Sequence, residues 1–292
     1  MDFFLAILLG AVQGVLEFLP LSSSGHLVIL ERLSGIQIPA LTFHVFLHAG
    51  TMIAVFITMR REVVRMFAEG FRIYAVILGN LAGSVRQDSR ERPAAFSKTA
   101  HTNSGKLSYI IFTAMIPTAA TGLLLRNMVA SAADSPFFAG IGFLITGIVL
   151  LVTDRVAPGS TVPKEVPARA AWLAGLINGL TVFPGISSTA IMLCAGIYAG
   201  FNRKTAVRFT LLLSVPTVFA AFVLEVIVGI VQGIFSTQVL LVCILGMLSA
   251  AVTGTLVINT FIRLLRRSRF TNYAYYSFVI GMTAILIGYL LR

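Results

Sequence analysis

Residues 13–26 read Gln13-Gly14-Val15-Leu16-Glu17-Phe18-Leu19-Pro20-Leu21-Ser22-Ser23-Ser24-Gly25-His26. In an otherwise apolar N-terminal region, this stretch gathers one carboxylate, one amide, three hydroxyls and one imidazole. Pro20 breaks it into two short apolar helical pieces. With residues 13–17 helical, Gln13 and Glu17 stand at i, i+4 and share a face. A second helix beginning near Ser22 offers unpaired backbone N–H groups and the hydroxyls of Ser22, Ser23 and Ser24, a cradle for an anion such as phosphate. Ser23 and His26, at i, i+3, are spaced for a nucleophile and base, or an acid and base, to work on one phosphorus. In a soluble protein the same serines would be read as an ordinary N-cap, so the setting decides.

Composition supplies the setting. Of the 292 residues, 57% are hydrophobic and 11% charged, and the mean hydropathy is +0.92, against roughly 25% charged residues in a soluble domain. The chain is read as an all-α polytopic membrane protein, and in hydrocarbon an ionisable group is costly enough to mark a site. Only Asp2 precedes the first apolar run, with no basic n-region or clear cleavage site, so the first segment is expected to stay. Cys194 and Cys243 lie in apolar stretches without metal-ligand or paired spacing and are read as buried small hydrophobes.

Residues 3–19 and 22–30 are each too short or too interrupted for a span of about 20 apolar residues. A re-entrant helical hairpin over 3–32 is expected instead, its loose backbone covered by protein or a water-filled cavity. Six transmembrane helices are expected at 41–59, 107–125, 137–153, 206–231, 238–260 and 273–291 of a single membrane domain, 1–292. Residues 73–83, about half a span, are expected to lie at the interface or to cap the basic polar loop 84–106, which is assigned no chemistry. Nine Lys and Arg fall in 60–106, three in 154–169, three in 200–208 and four in 261–272. The six spans put these segments on one side, which the positive-inside rule makes cytoplasmic. The net charge of +11 is then loop charge facing an anionic leaflet, not a nucleic-acid footprint.

A second polar knot runs Asn178-Gly179-Leu180-Thr181-Val182-Phe183-Pro184-Gly185-Ile186-Ser187-Ser188-Thr189. An ungapped offset of 165 pairs Gly10 with Gly175, Gln13 with Asn178, Gly14 with Gly179, and Phe18 with Phe183. Ser22, Ser23 and Ser24 fall on Ser187, Ser188 and Thr189. The expectation is an internal duplication: repeat 1 over about 1–125, and repeat 2 over about 137–292 with its own re-entrant hairpin at 170–199. With the first hairpin open to the outside and the second to the cytoplasm, the repeats are inverted, and the site belongs where their broken helices meet.

These residues resemble the undecaprenyl-diphosphate phosphatase family of the bacitracin-resistance type. Gln13 to Glu17 and Phe18 to His26 are similar to that family's (E/Q)xxxE and FLPxSSTGH signature. Phe43-His44-Val45-Phe46-Leu47-His48-Ala49-Gly50-Thr51, Met115-Ile116-Pro117, the run from Phe209 to Pro216, and Tyr273-Ala274-Tyr275-Tyr276 resemble further family segments, so the likeness covers nearly the whole chain. It implies removal of the terminal phosphate of a C55 isoprenoid diphosphate for recycling of the cell-wall lipid carrier. A divalent cation, Mg or Ca, would assist, in a multi-pass protein of the bacterial plasma membrane whose site faces outward and which allows a homodimer. By the same likeness Glu17 and Gln13 bind the metal or manage protons. Ser23 and His26 form the nucleophile and acid/base pair, with the attacking member left open, and His48 lines the site. Gln13, Ser22, Ser24, Ser187, Ser188 and Thr189 are the expected phosphate-binding groups.

The departures bear on activity. The family's second motif reads PGxSRSGAT, and here its arginine is Ser188 and its last threonine Met192, while an arginine after the aromatic run near the C-terminus is Ser277. A guanidinium supplies phosphate with charge that a hydroxyl cannot, and no intramembrane arginine is expected to replace it. The alternative expectation is therefore a non-hydrolytic polyprenyl-phosphate transporter or flippase, an architecture that also uses inverted repeats. Glu225, deep in a span, is expected to be protonated or hydrogen-bonded, and the i, i+4 pair His44 and His48 is a weak metal signal.

Overall fold

Helices form over the apolar runs and stop where proline, glycine or clustered polar residues interrupt them. The computed structural model describes residues 3–34, 40–85 and 102–290, and among these it contains eleven α-helices and no strand. They are α1 Phe3–Leu16, α2 Ser23–Ser34, α3 Ala40–Thr58, α4 Arg60–Val85, α5 Asn103–Ala132, α6 Pro136–Thr153, α7 Ala168–Leu180, α8 Ser188–Tyr198, α9 Arg203–Val231, α10 Thr237–Arg267 and α11 Phe270–Leu290.

Helices α3, α5, α6, α9, α10 and α11 are long and apolar enough to cross a membrane, and they fall on the six expected spans. The chain is a multi-pass membrane protein. Three of these helices, α5, α9 and α10, reach 29 to 31 residues, longer than their apolar cores. Their starts are set by polar N-caps, Thr102, Asn202 and Ser236, which accept from the backbone N–H groups of Gly105, Thr205 and Val239. By contrast, α1, α2, α7 and α8 hold 14, 12, 13 and 11 residues. At 1.5 Å per residue the longest is about 21 Å, short of a hydrocarbon core of about 30 Å. They form two broken pairs, interrupted by Pro20 and by Pro184.

Residues 73–83 correct the sequence reading. They are no separate interfacial piece but the end of α4, whose buried stripe of Val63, Met66, Gly70 and Ile73 packs on α5, with Gly70 against the Phe112 ring. This stripe begins among arginines, so hydropathy registers only its apolar end. Of the expected loop 84–106, Ser84 and Val85 belong to α4 and 103–106 to α5, while 86–101 lie outside the described residues.

Small residues let the helix backbones approach. A Cβ at Gly10 would come 2.3 Å from the Gly246 carbonyl oxygen of α10, and one at Gly175 would come 2.1 Å from the Ala114 oxygen of α5. One turn on, Gly14 presses against Ala250 and Gly254, and Gly179 against Thr121. Residues paired by the offset of 165 therefore make like contacts, each seating the first helix of a broken pair on a long helix. The long helices also pair among themselves, α6 along α11 and α3 along α10. Cys194 and Cys243 are buried and free, each in an apolar cluster.

Candidate active site

Helix α6 braces both breaks. Thr146 donates its hydroxyl to the Gly185 carbonyl at 3.0 Å, and its Oγ1 accepts from the Ser187 N–H at 3.0 Å. Gly185 has φ +86°, and a Cβ there would lie 1.9 Å from the Ala139 carbonyl oxygen. Only glycine satisfies both the left-handed backbone and the contact. Ser187 then caps α8 by accepting from the Ala190 N–H at 3.1 Å.

At the first break Ser22 takes the capping role in a left-handed conformation, φ +57°, with its Oγ accepting from the Gly25 N–H at 3.3 Å. Such backbone costs a non-glycine residue on the order of 1 kcal/mol. His26 braces it. Its backbone N–H donates to the Ser22 carbonyl at 3.4 Å and its Nδ1–H donates to the same oxygen at 2.8 Å. A carbonyl only accepts, so Nδ1 carries the proton and Nε2 accepts from the Tyr276 hydroxyl at 2.8 Å. The ring also meets Phe143 of α6 edge-on, with centroids 5.0 Å apart.

Glu17, in the turn after α1, collects three groups on Oε2. Ser23 donates its hydroxyl at 2.6 Å, Gln13 donates from Nε2 at 2.9 Å, and His48 Nδ1 lies at 3.2 Å. Gln13 Nε2 is also 2.9 Å from His48 Nδ1. The imidazole thus donates to Glu17 when Nδ1 is protonated and accepts from Gln13 when it is not. Gln13 is fully buried behind Glu17, and its Oε1 has no hydrogen-bond partner among the described residues. Thr189 ties the two breaks together by donating to the Glu17 carbonyl oxygen at 2.8 Å, and Ser188 donates to Asn178 Oδ1 at 3.2 Å.

These groups face a cavity of about 480 Å³ enclosed by the two breaks and helices α3, α5 and α9, within the usual range for a ligand site. Glu17, His48, Asn178, Ser22, Ser23, Ser24, Ser187, Ser188 and Thr189 line its polar part, where the N-termini of α2 and α8 converge. Leu41, Val45, Met115, Leu123, Val218 and Leu224 make an apolar wall. On the other side of Glu17 a chamber of about 20 Å³, lined also by Thr51, Thr210 and Ser214, has room for about one water.

Of the residues expected from the sequence, Gln13, Glu17, Ser23 and His48 form one hydrogen-bonded cluster, and Ser22, Ser24, Ser187, Ser188 and Thr189 surround it. His26 lies outside the cavity lining, its two ring nitrogens committed to Ser22 and Tyr276. Ser23 and His26 share a helical turn but not a partner.

One expectation is corrected outright. Arg126 of α5 lines the same cavity, where its guanidinium donates to Glu225 Oε2 at 3.0 Å, and Glu225 Oε1 accepts from the Thr42 hydroxyl at 2.8 Å. A candidate membrane-spanning helix therefore does bring an arginine to the cavity wall. Its signal was the i, i+4 series Thr118, Gly122 and Arg126, one face of α5 that turns inward. Thr118 and Thr217, each beside a proline inside its helix, also reach the cavity and were not singled out.

The family model described as Bacitracin resistance protein BacA matches residues 6–283. The chain belongs to this family. The chain is 35% identical over 289 residues to an undecaprenyl-diphosphatase of Desulfosudis oleivorans, covering 97% of both chains. It is 33% identical to one of Methanosphaera stadtmanae over the full length of both, and 32% identical to one of Desulforapulum autotrophicum over 99% of both.

Proposed function

We propose that the chain is an undecaprenyl-diphosphatase, a hydrolase that converts undecaprenyl diphosphate to the monophosphate and inorganic phosphate. The observation that carries this reading is the 2.6 Å hydrogen bond from Ser23 to Glu17 at the polar end of a cavity where two helix N-termini meet. Full-length relatives named as diphosphatases support it, and no observation favours the transport alternative over it.

In this reading the terminal phosphate sits among the serine hydroxyls and free N–H groups of α2 and α8, which stabilise charge on its oxygens. Ser23 Oγ attacks the terminal phosphorus as its proton passes to Glu17. The Ser–O–P bond forms, the bridging P–O bond breaks, and the lipid monophosphate leaves with a proton. Water then attacks the phosphoserine, inorganic phosphate departs, and Ser23 regains its proton. His48 and Gln13 hold Glu17 in place, and His48 Nδ1 can take up or return a proton beside it. His26 is a positioning residue, fixing Ser22 in its left-handed turn.

A divalent cation fits this residue set. The Glu17 carboxylate, which lines the cavity, is a hard oxygen donor of the kind that Mg or Ca prefers when phosphate oxygens and water complete the shell, and the buried Gln13, whose Nε2 donates to Glu17 Oε2, supports it from behind. Bound there, the ion would neutralise charge on the phosphate. We further read the two broken pairs as re-entrant halves of an inverted repeat, in the plasma membrane of a bacterial cell, with the cavity open to the outer side.

The test is phosphate release from undecaprenyl diphosphate by the purified protein in detergent, with and without divalent cation. Turnover is expected in the wild type, with labelled phosphate trapped on Ser23 and absent from Ser23→Ala. Binding of the lipid without turnover would refute the enzyme and leave transport as the working model.

A further inference from the structure

The cavity has a second polar pole that the chemistry above does not use. Thr42 and His48 are six residues apart on α3, about 9 Å along its axis. At the Thr42 level the Arg126–Glu225 pair closes the wall. The two members differ in kind. The Glu225 side chain is 6% exposed, with both oxygens engaged, whereas the Arg126 side chain is 29% exposed. One guanidinium nitrogen is spent on Glu225, and no other partner of Arg126 occurs among the described residues. Arginine carries five N–H donors in a rigid fork, so donors remain beyond the one given to Glu225 on a residue that lines the cavity. Among the described lining residues Arg126 is the only Lys or Arg.

A bound diphosphate ester makes two demands. Its terminal phosphate needs hydroxyl and N–H donors around the attacked phosphorus, and the Ser23 pole supplies them. Its inner phosphate needs a fixed cation, because that group gains the charge when the bridging bond breaks. The Ser23 pole contains a carboxylate and no permanent cation. The remaining wall is apolar except for scattered hydroxyls, His44 and the Arg126 pole.

We propose that Arg126 binds the phosphate that stays on the lipid, so that the two phosphates of the substrate are held at two separate poles, with Glu225 and Thr42 as the clamp that aims the guanidinium. This deepens the diphosphatase reading and rests on it for the identity of the substrate. It makes Arg126 a leaving-group and product-recognition residue. Free inorganic phosphate, recognised at the Ser23 pole, is indifferent to Arg126.

The experiment uses the full chain in detergent and compares undecaprenyl monophosphate with inorganic phosphate as ligands, read by calorimetric titration and needing no turnover. The variant is Arg126→Gln/Glu225→Gln, which removes both charges together and leaves Thr42 a partner. Monophosphate affinity is expected to fall at least tenfold, about 1.4 kcal/mol, with inorganic phosphate affinity within twofold of wild type. Arg126→Lys, which keeps the ion pair but loses the fork, is expected to weaken the monophosphate at least threefold and guards against misfolding of the double variant. Unchanged monophosphate affinity, or equal weakening of both ligands, overturns the proposal. Loss of monophosphate affinity in a protein without turnover would support the Arg126 assignment while sinking the hydrolase reading, so the two fail separately.

Discussion

Replacing Glu17 with glutamine should separate activity from stability. In the wild type, Oε2 accepts from Ser23 at 2.6 Å and from Gln13 at 2.9 Å, beside His48 at 3.2 Å, and the side chain is 16% exposed. An amide of the same shape keeps one acceptor oxygen but cannot take the Ser23 proton. Positioned general bases are worth about 10²- to 10⁴-fold, or about 2.7–5.4 kcal/mol of barrier at 1.36 kcal/mol per decade. Affinity for inorganic phosphate measured without divalent cation should stay within threefold, because the helix N-termini and the serine hydroxyls that hold phosphate are untouched. Stability should hardly move. The variant loses charge-assisted hydrogen bonds but also relieves a buried carboxylate of its desolvation cost, and His48 can remain neutral, so no unpaired charge is left behind. The assay is phosphate release alongside thermal unfolding of the same preparation. A kcat within tenfold of wild type would refute Glu17 as the base, and unfolding of the variant at assay temperature would refute the stability argument.

Gly10→Ala should destabilise or misassemble the protein, since the new methyl would meet the Gly246 carbonyl oxygen at 2.3 Å. Gly122→Ala should fold normally, its nearest neighbour being Val182 at 3.9 Å; yield of monodisperse protein after detergent extraction distinguishes them. Thr189→Val removes the bond to the Glu17 carbonyl and leaves that oxygen unpaired, at a cost of about 1–3 kcal/mol, and should lower kcat several-fold with the melting temperature. Asp154, just beyond α6, gives a pH signature. Burial pushes its carboxyl up, but hydrogen bonds from Thr271 and from the Phe270 backbone, with the Arg203 guanidinium, outweigh this and hold it below its ordinary value. A depressed folded pKa contributes stability that is present above the unfolded value and lost as pH falls through the folded one. The melting-temperature gap between wild type and Asp154→Asn should therefore be constant near neutrality and close on acidification below the carboxylate range; a gap independent of pH would refute it.

Much of this architecture was written in local sequence. Apolar runs located the six long helices because hydrophobic length is a local property, and Pro20 and Pro184 marked the breaks because each is followed by glycine and clustered hydroxyls, whereas Pro117 and Pro216 lie inside continuous helices. The offset of 165 anticipated that Gly10 and Gly175 would do the same job. What was hidden depended on partners distant in the chain. The imidazole of His26 was legible as a polar group in oil, but its commitment to Tyr276 needs α11, 250 residues away. Arg126 looked like loop charge at the end of an apolar run until Glu225 drew it to the wall. The amphipathic α4 escaped because its stripe is visible only once α5 is there to receive it.

The bond from Thr189 to the Glu17 carbonyl joins residues 172 apart. At a synthesis rate of about 5–20 residues per second, the ribosome needs roughly 9–34 s to make the partner of a residue already delivered to the membrane. For that interval Glu17, Ser23 and His48 lack the serines that complete their surroundings. A chain cut short before residue 187 thus carries the Ser23–Glu17 pair without the Ser187, Ser188 and Thr189 side of the cavity. Only a chain extended past Thr189 can close the polar pole, because Thr189 supplies the bond that ties Glu17 to the second break.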